Sequence, residues 1–252
     1  MMIKMLKVEW IKEKRAANSA LKYIVPIIFV LFNLFMVSIM GQSPAGRSYL
    51  MATAFNWYPV MILPIVLSLL VVNIVSKEKE EHIALWRRLN ILPEKMLIAK
   101  NGMVVFELFT ILMLSSIGIY LVGKYFLQEE ISLKIMVLAT CCLFIGSLPV
   151  IALSFFIYKL FNKKFLVILI NFVFTFPSAM IAVTSYWKFF PWDYNLRILC
   201  PIVEVHPNGT FLEKSSPLTA MNAVYVGLVL SVMVYVIITV INIGIERGKS
   251  HV

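Results

Sequence analysis

The sequence predicts an all-α, polytopic membrane protein with six transmembrane helices, and three observations carry that prediction. Hydrophobic residues make up 61% of the 252 residues and charged residues only 14%. With a mean hydropathy of +0.89, the chain lies far outside the range of soluble domains. Six apolar runs, each near the ~20 residues needed to cross ~30 Å of hydrocarbon, divide the chain. Lysine and arginine recur between those runs instead of gathering in one basic domain, as cytoplasmic loops of a membrane protein do. The net charge of +10 therefore points to no nucleic-acid partner.

The chain reads as a single six-helix transmembrane domain, 1–252. Residues 1–18 suggest a helix lying in the membrane interface. Ile3, Leu6 and Trp10 share one helical face, Lys4, Lys12 and Arg15 lie roughly opposite, and Val8 and Ile11 interrupt the polar side. A plain basic flank that orients the first span explains the same residues. A signal peptide does not, because no small-residue cleavage site follows Met40 and the apolar run is too long.

The expected spans are Tyr23–Met40, Trp57–Val75, Gly102–Gly123, Ile135–Tyr158, Phe165–Tyr186 and Leu218–Ile245. Placing both termini in the cytoplasm leaves only Arg47, Lys124, Lys134, Lys188, Arg197 and Lys214 of the 23 basic residues on the outside. The positive-inside rule thus orients the chain, with the lipid bilayer as its solvent. Among the spans only the third carries a charge, Glu107. An intramembrane carboxylate is costly unless paired, so Glu107 is a candidate for either structural pairing, with an amine such as Lys100, or transport chemistry.

Between spans two and three, residues 76–100 hold ten charged residues. Ile83, Trp86 and Leu89 fall three apart within them, a helical spacing, and Pro93 is expected to end that helix. An apolar stripe with charged flanks suits a partner's groove, although a solvated amphipathic loop has the same pattern. Residues 187–217 form the expected extracellular loop, rich in aromatics and broken by Pro191, Pro201 and Pro207. Such aromatics settle at a membrane interface, either as an anchor or as a platform meeting a cationic peptide. Trp187, Trp192, Asp193 and Glu204 are its substrate-facing candidates, with His206-Pro207-Asn208-Gly209 as its turn.

No catalytic or metal-binding constellation accompanies these features, and no enzyme activity is expected. Cys141, Cys142 and Cys200 make no disulfide framework, and the three histidines are scattered. The C-terminal GIERGKS has isoleucine at 243 where a phosphate-binding loop needs glycine, and the chain ends two residues later.

The acidic cluster, the amphipathic turn, Leu89, Ile91-Leu92-Pro93 and Lys100 together resemble the coupling segment of ABC-2-type permeases. That resemblance implies docking onto a separate nucleotide-binding ATPase subunit through Glu78, Glu80, Glu81, Ile83, Trp86, Leu89 and Leu92. ATP would be used by that partner and no cofactor bound by this chain. Where many relatives carry a glycine after the acidic residue, this chain has His82 and Ile83. More narrowly, KVEWIKEKR with YIVPIIF, and FFPWDYNLRILCPIVEVHPNGTFLE at 189–213, are similar to lantibiotic self-immunity permeases. There, two small membrane subunits pair with an ATPase and expel an antimicrobial peptide from the membrane. A homologous second permease, or a second copy, is the implied partner. A general drug, lipid or peptide ABC-2 exporter is the nearest alternative, and a non-transporting scaffold or signalling protein the alternative from another class.

Overall fold

The computed structural model describes residues 2–14, 16–77 and 92–250, and helices account for nearly all of its regular structure. Helix α1 (Met2–Glu13) leads into α2 (Ala17–Met40), which Gly41 closes at a φ of +82°. Then come α3 (Tyr49–Met61), α4 (Leu63–Val75), α5 (Pro93–Tyr125), α6 (Leu133–Phe161), α7 (Lys164–Ile181), α8 (Tyr194–Val203) and α9 (Asn222–Ser250). Five of these are long and apolar enough to cross a membrane, and a sixth span exists if α3 and α4 count as one.

The second span departs most from expectation. Instead of one helix from Trp57, α3 and α4 meet at a 50° bend. Pro59 stands in the last turn of α3 and Pro64 in the first turn of α4, on either side of Ile62. A proline removes one backbone donor and crowds the preceding turn, so Ile62 is where the helix gives way. A π-helical turn at Thr53–Trp57 adds further distortion within α3. Pro93 opens α5, where its missing N–H costs nothing; the helix that it is expected to end lies outside the described residues. Residues 93–100 are therefore the start of a 33-residue helix.

Helix α6 is the axis of the bundle, with 67% of its apolar window buried against 28% for α2, 22% for α7 and 17% for α9. Around it stand α4, α5, α7, α8 and α9. Side chains such as Ile27, Leu31 and Phe35 on α2, and Val229, Ile237 and Val240 on α9, are exposed and apolar. An outward surface of this kind suits hydrocarbon rather than water.

Contacts sort the connecting segments to two ends. At one end lie α1 and the C-terminal turns of α9. Lys77 pairs there with Glu13, Lys159 with Glu246 at 2.6 Å, and Arg247 with Glu94 at 2.9 Å. At the far end Ser43 donates to Glu129 at 2.7 Å, Arg47 to the Leu212 carbonyl at 3.0 Å, and Asn56 to the His206 carbonyl at 3.0 Å. Gly244 through Ser250 simply continue α9 as helix, so no phosphate-cradling loop forms there.

Candidate functional site

The far end holds the larger surprise. Residues 187–203, expected in an interfacial loop, fold as two short 3-10 turns and then α8, and are packed into the bundle. Two glycines admit α8. A Cβ on Gly146 of α6 would stand 2.2 Å from Asn195 Oδ1, and one on Gly227 of α9 would stand 2.4 Å from Ile198. Small residues at helix contacts allow such close approach inside membranes. Beyond α8, Glu204 ends the helix at a φ of +54°. His206 to Thr210 then make the expected turn, with Gly209 at a φ of +91° against the Trp57 indole.

Trp192 is tied inward. Its Nε1 donates to Asn171 Oδ1 at 3.1 Å, while the Asn171 amide donates to Ser68 Oγ at 2.9 Å and Ser154 Oγ at 2.7 Å. One asparagine thus joins α4, α6, α7 and the 3-10 turn through bonds that hydrocarbon cannot replace. Trp187 is 6% exposed and Asp193 0%. Of the four residues expected to face a substrate, Glu204 alone is exposed, Trp192 is half-buried, and Trp187 and Asp193 are sealed inside. The expectation that Trp187 and Asp193 face a substrate is corrected accordingly: Trp187 and Asp193 pack inside the bundle, while Phe189 of the same stretch stays exposed.

Asp193 has an unusual environment. Among the described residues neither of its carboxylate oxygens has a hydrogen-bond partner. Arg197, one helical turn on, gives Nη1 to the Leu218 carbonyl at 3.2 Å and lies 5.9 Å from the Trp187 ring. Burial therefore outweighs the Arg197 charge and pushes the Asp193 carboxyl up to about 8. An unfolded aspartate titrates near ~3.9, so between roughly 4 and 8 the unfolded chain ionises while the folded chain holds its proton. Stability is expected to fall as pH rises through that window and to level off above it. Asp193→Asn is expected to flatten the dependence, raising the melting temperature in detergent at pH 8 while changing little near pH 4. A wild-type melting temperature that does not decline between pH 5 and 8 would contradict this.

The second constellation lies toward the α1 end, around Glu107, which is 0% exposed. Asn18 Nδ2 donates to its Oε2 at 2.8 Å, and Lys22 Nζ lies 3.2 Å from Oε1. Asn73 donates to Asn18 Oδ1 at 3.0 Å, completing a link between α2, α4 and α5. The expected amine, Lys100, is thus replaced by Lys22, because α2 begins six residues before Tyr23 and brings Asn18 and Lys22 into its first turns. Because α5 begins at Pro93, Glu107 stands about four turns from the start of its helix. Lone asparagines at 73 and 171 inside apolar runs were the available sign of both networks, since an amide in hydrocarbon needs a partner.

Of the residues expected to engage an ATPase, Glu78, Glu80, Glu81, Ile83, Trp86 and Leu89 lie outside the described residues. Leu92 caps α5 and is 43% exposed. Cys142 and Cys200 are buried thiols and Cys141 is an exposed one. Among the described residues no group of three or more metal-ligating side chains exists. Comparison with protein-family models, characterised proteins and solved structures yields no match for this chain.

Proposed function

We propose that this chain is the membrane subunit of a bacterial ABC exporter that expels a cationic, lantibiotic-like peptide from the plasma membrane. A separate ATPase subunit supplies the energy, and a homologous second permease or a second copy completes the pathway. The observation that carries this reading is the placement of the two ends of residues 76–100. Lys77 is paired with Glu13 of α1, and Glu94 with Arg247 of α9. The amphipathic segment therefore leaves and re-enters the bundle at the end where α1 and the C-terminal turns meet. A push on it reaches α4 and α5 directly, and through the Glu107–Lys22 contact it reaches α2.

In this reading that end faces the cytoplasm and the Val205–Phe211 turn faces outside. Pro207 is buried but its neighbour Asn208 is exposed, which makes 208 the site for a probe. An impermeant thiol reagent on intact cells is expected to label Asn208→Cys and to spare Arg87→Cys. The reverse pattern would overturn the orientation. Purification in mild detergent from the native host is expected to bring down a nucleotide-binding ATPase in stoichiometric amount. Recovery of the chain without any ATPase would count against the exporter reading as a whole.

A further inference from the structure

Burial divides α1 by charge. Glu9 and Glu13 are the sole acidic residues before Glu78, and each is 1% exposed. Glu9 accepts from Lys12 at 2.7 Å and Glu13 pairs with Lys77. Met5, Glu9 and Glu13 follow one another at four-residue intervals, so they share one helical face. Met5 packs on Met96 and Ala99 of α5, with Leu6 beside it. Lys7, Val8, Ile11 and Lys14 are exposed instead. This reverses the expected orientation: Leu6 turns inward, and the face where Val8 and Ile11 interrupt the lysines turns out.

A mixed basic and apolar face suits either a protein or a membrane, and continuity decides between them. Trp10 meets Phe106 edge to face with centroids 5.4 Å apart. Phe106 is itself exposed, as are Ile24 and Ile27 on α2. The outer edge of α1 thus runs into the apolar surface of the spanning helices, which a soluble partner does not reach. Charge then decides what kind of lipid. With both glutamates turned inward, every exposed charge described on α1 is basic, and lysines near a surface of anionic lipid are attracted to it.

We propose that the outward face of α1 is a binding surface for anionic phospholipid headgroups. Val8 and Ile11 insert among the upper acyl chains, and Lys7 and Lys14 engage the phosphates. The face requires Glu9 and Glu13 to be sequestered, since outward carboxylates would repel the same headgroups. It is independent of what the protein transports.

The test uses the full chain in nanodiscs of pure phosphatidylcholine and of phosphatidylcholine mixed with phosphatidylglycerol. Ile11→Cys carries an environment-sensitive fluorophore, and labelled wild type provides the background from Cys141. The expected result is a blue-shifted emission in phosphatidylglycerol discs, lost in high salt and weakened in Lys7→Gln/Lys14→Gln. Phosphatidylglycerol retained after mild delipidation, assayed by mass spectrometry on unlabelled protein, should fall roughly five-fold for each lysine removed. All the altered side chains are exposed, and unchanged melting temperatures would confirm folding. Identical emission in both lipids, or retention unaffected by the lysine changes, would overturn the proposal. A blue shift that appears only when an ATPase subunit is added would overturn it too, by assigning the face to a protein.

Discussion

Substituting Lys22 by methionine will strongly destabilise the folded protein, and adding Glu107→Gln to the same chain will restore most of the loss. The reason lies in the electrostatics of a buried acid. Glu107 is fully buried, with Lys22 as the nearby cation and Asn18 as its hydrogen-bond donor. Methionine keeps the apolar stem of Lys22 but removes its charge, leaving a carboxylate alone in a helix bundle. Breaking a buried pair in this way typically costs ~3–5 kcal/mol, a large share of a stability of ~5–15 kcal/mol. Losing the Lys22 ammonium over the Trp10 ring, 5.3 Å from its centroid, adds roughly 0.5–2 kcal/mol. Glutamine at 107 removes the stranded charge while its amide oxygen still accepts from Asn18, so the double variant should fall short of wild type only by that cation–π contribution. Melting in detergent should show a drop on the order of 10 °C for the single variant. A single variant as stable as wild type, or a double variant no better than the single, would show that the contact does not hold α2 to α5.

The membrane-crossing helices were legible because crossing a bilayer imposes a local demand: about twenty apolar residues in succession. α2, α5 and α6 cover the expected runs, extended by up to nine residues at one end, while α9 starts at Asn222, four residues after the expected Leu218. Two features escaped for the opposite reason, being set by contacts distant in sequence. Lys22 reads as a basic flank until α5 brings Glu107 beside it, 85 positions along the chain. Residues 194–203 carry a one-sided pattern, with Asn195 and Arg197 among apolar neighbours, yet every side chain from Tyr194 to Ile202 is buried. A polar side of that kind suggests a helix face in water, whereas here it is covered by neighbouring helices. Its neighbours Pro191 and Pro201 then suggest an irregular loop, although proline at the start of the 3-10 turn merely supplies a fixed φ. The signal was present on the partners: Gly146 and Gly227 in otherwise bulky spans mark where another backbone approaches. At the candidate coupling segment the sequence remains the whole basis for residue roles.

If the proposed exporter reading holds, replacing Leu89 by aspartate is expected to abolish export and release the ATPase while leaving the protein folded and inserted. Ile83, Trp86 and Leu89 recur every three residues, a spacing that would align them on one side of a helix, with Glu80, Glu81, Arg87 and Arg88 on other sides. If that stripe docks in a groove, Leu89 stands at its end nearest α5. Interface energy concentrates in a few central apolar anchors, and a carboxylate forced into such a contact loses its hydration without gaining a partner. A penalty of ~3–4 kcal/mol would weaken docking by a factor on the order of several hundred. The bundle should not register the change, because the chain on either side is held independently. Lys77 is paired with Glu13, and α5 restarts at Pro93 with Glu94 bound to Arg247. Three readouts separate the possibilities: ATPase co-purification, tolerance of cells to the exported peptide, and melting temperature of the isolated subunit. Loss of the first two at an unchanged third is the expected pattern. If ATPase recovery and tolerance both stay normal, the stripe is a solvated loop and the ATPase must dock elsewhere. If the melting temperature falls in step, Leu89 packs on its own bundle and the docking assignment fails with it.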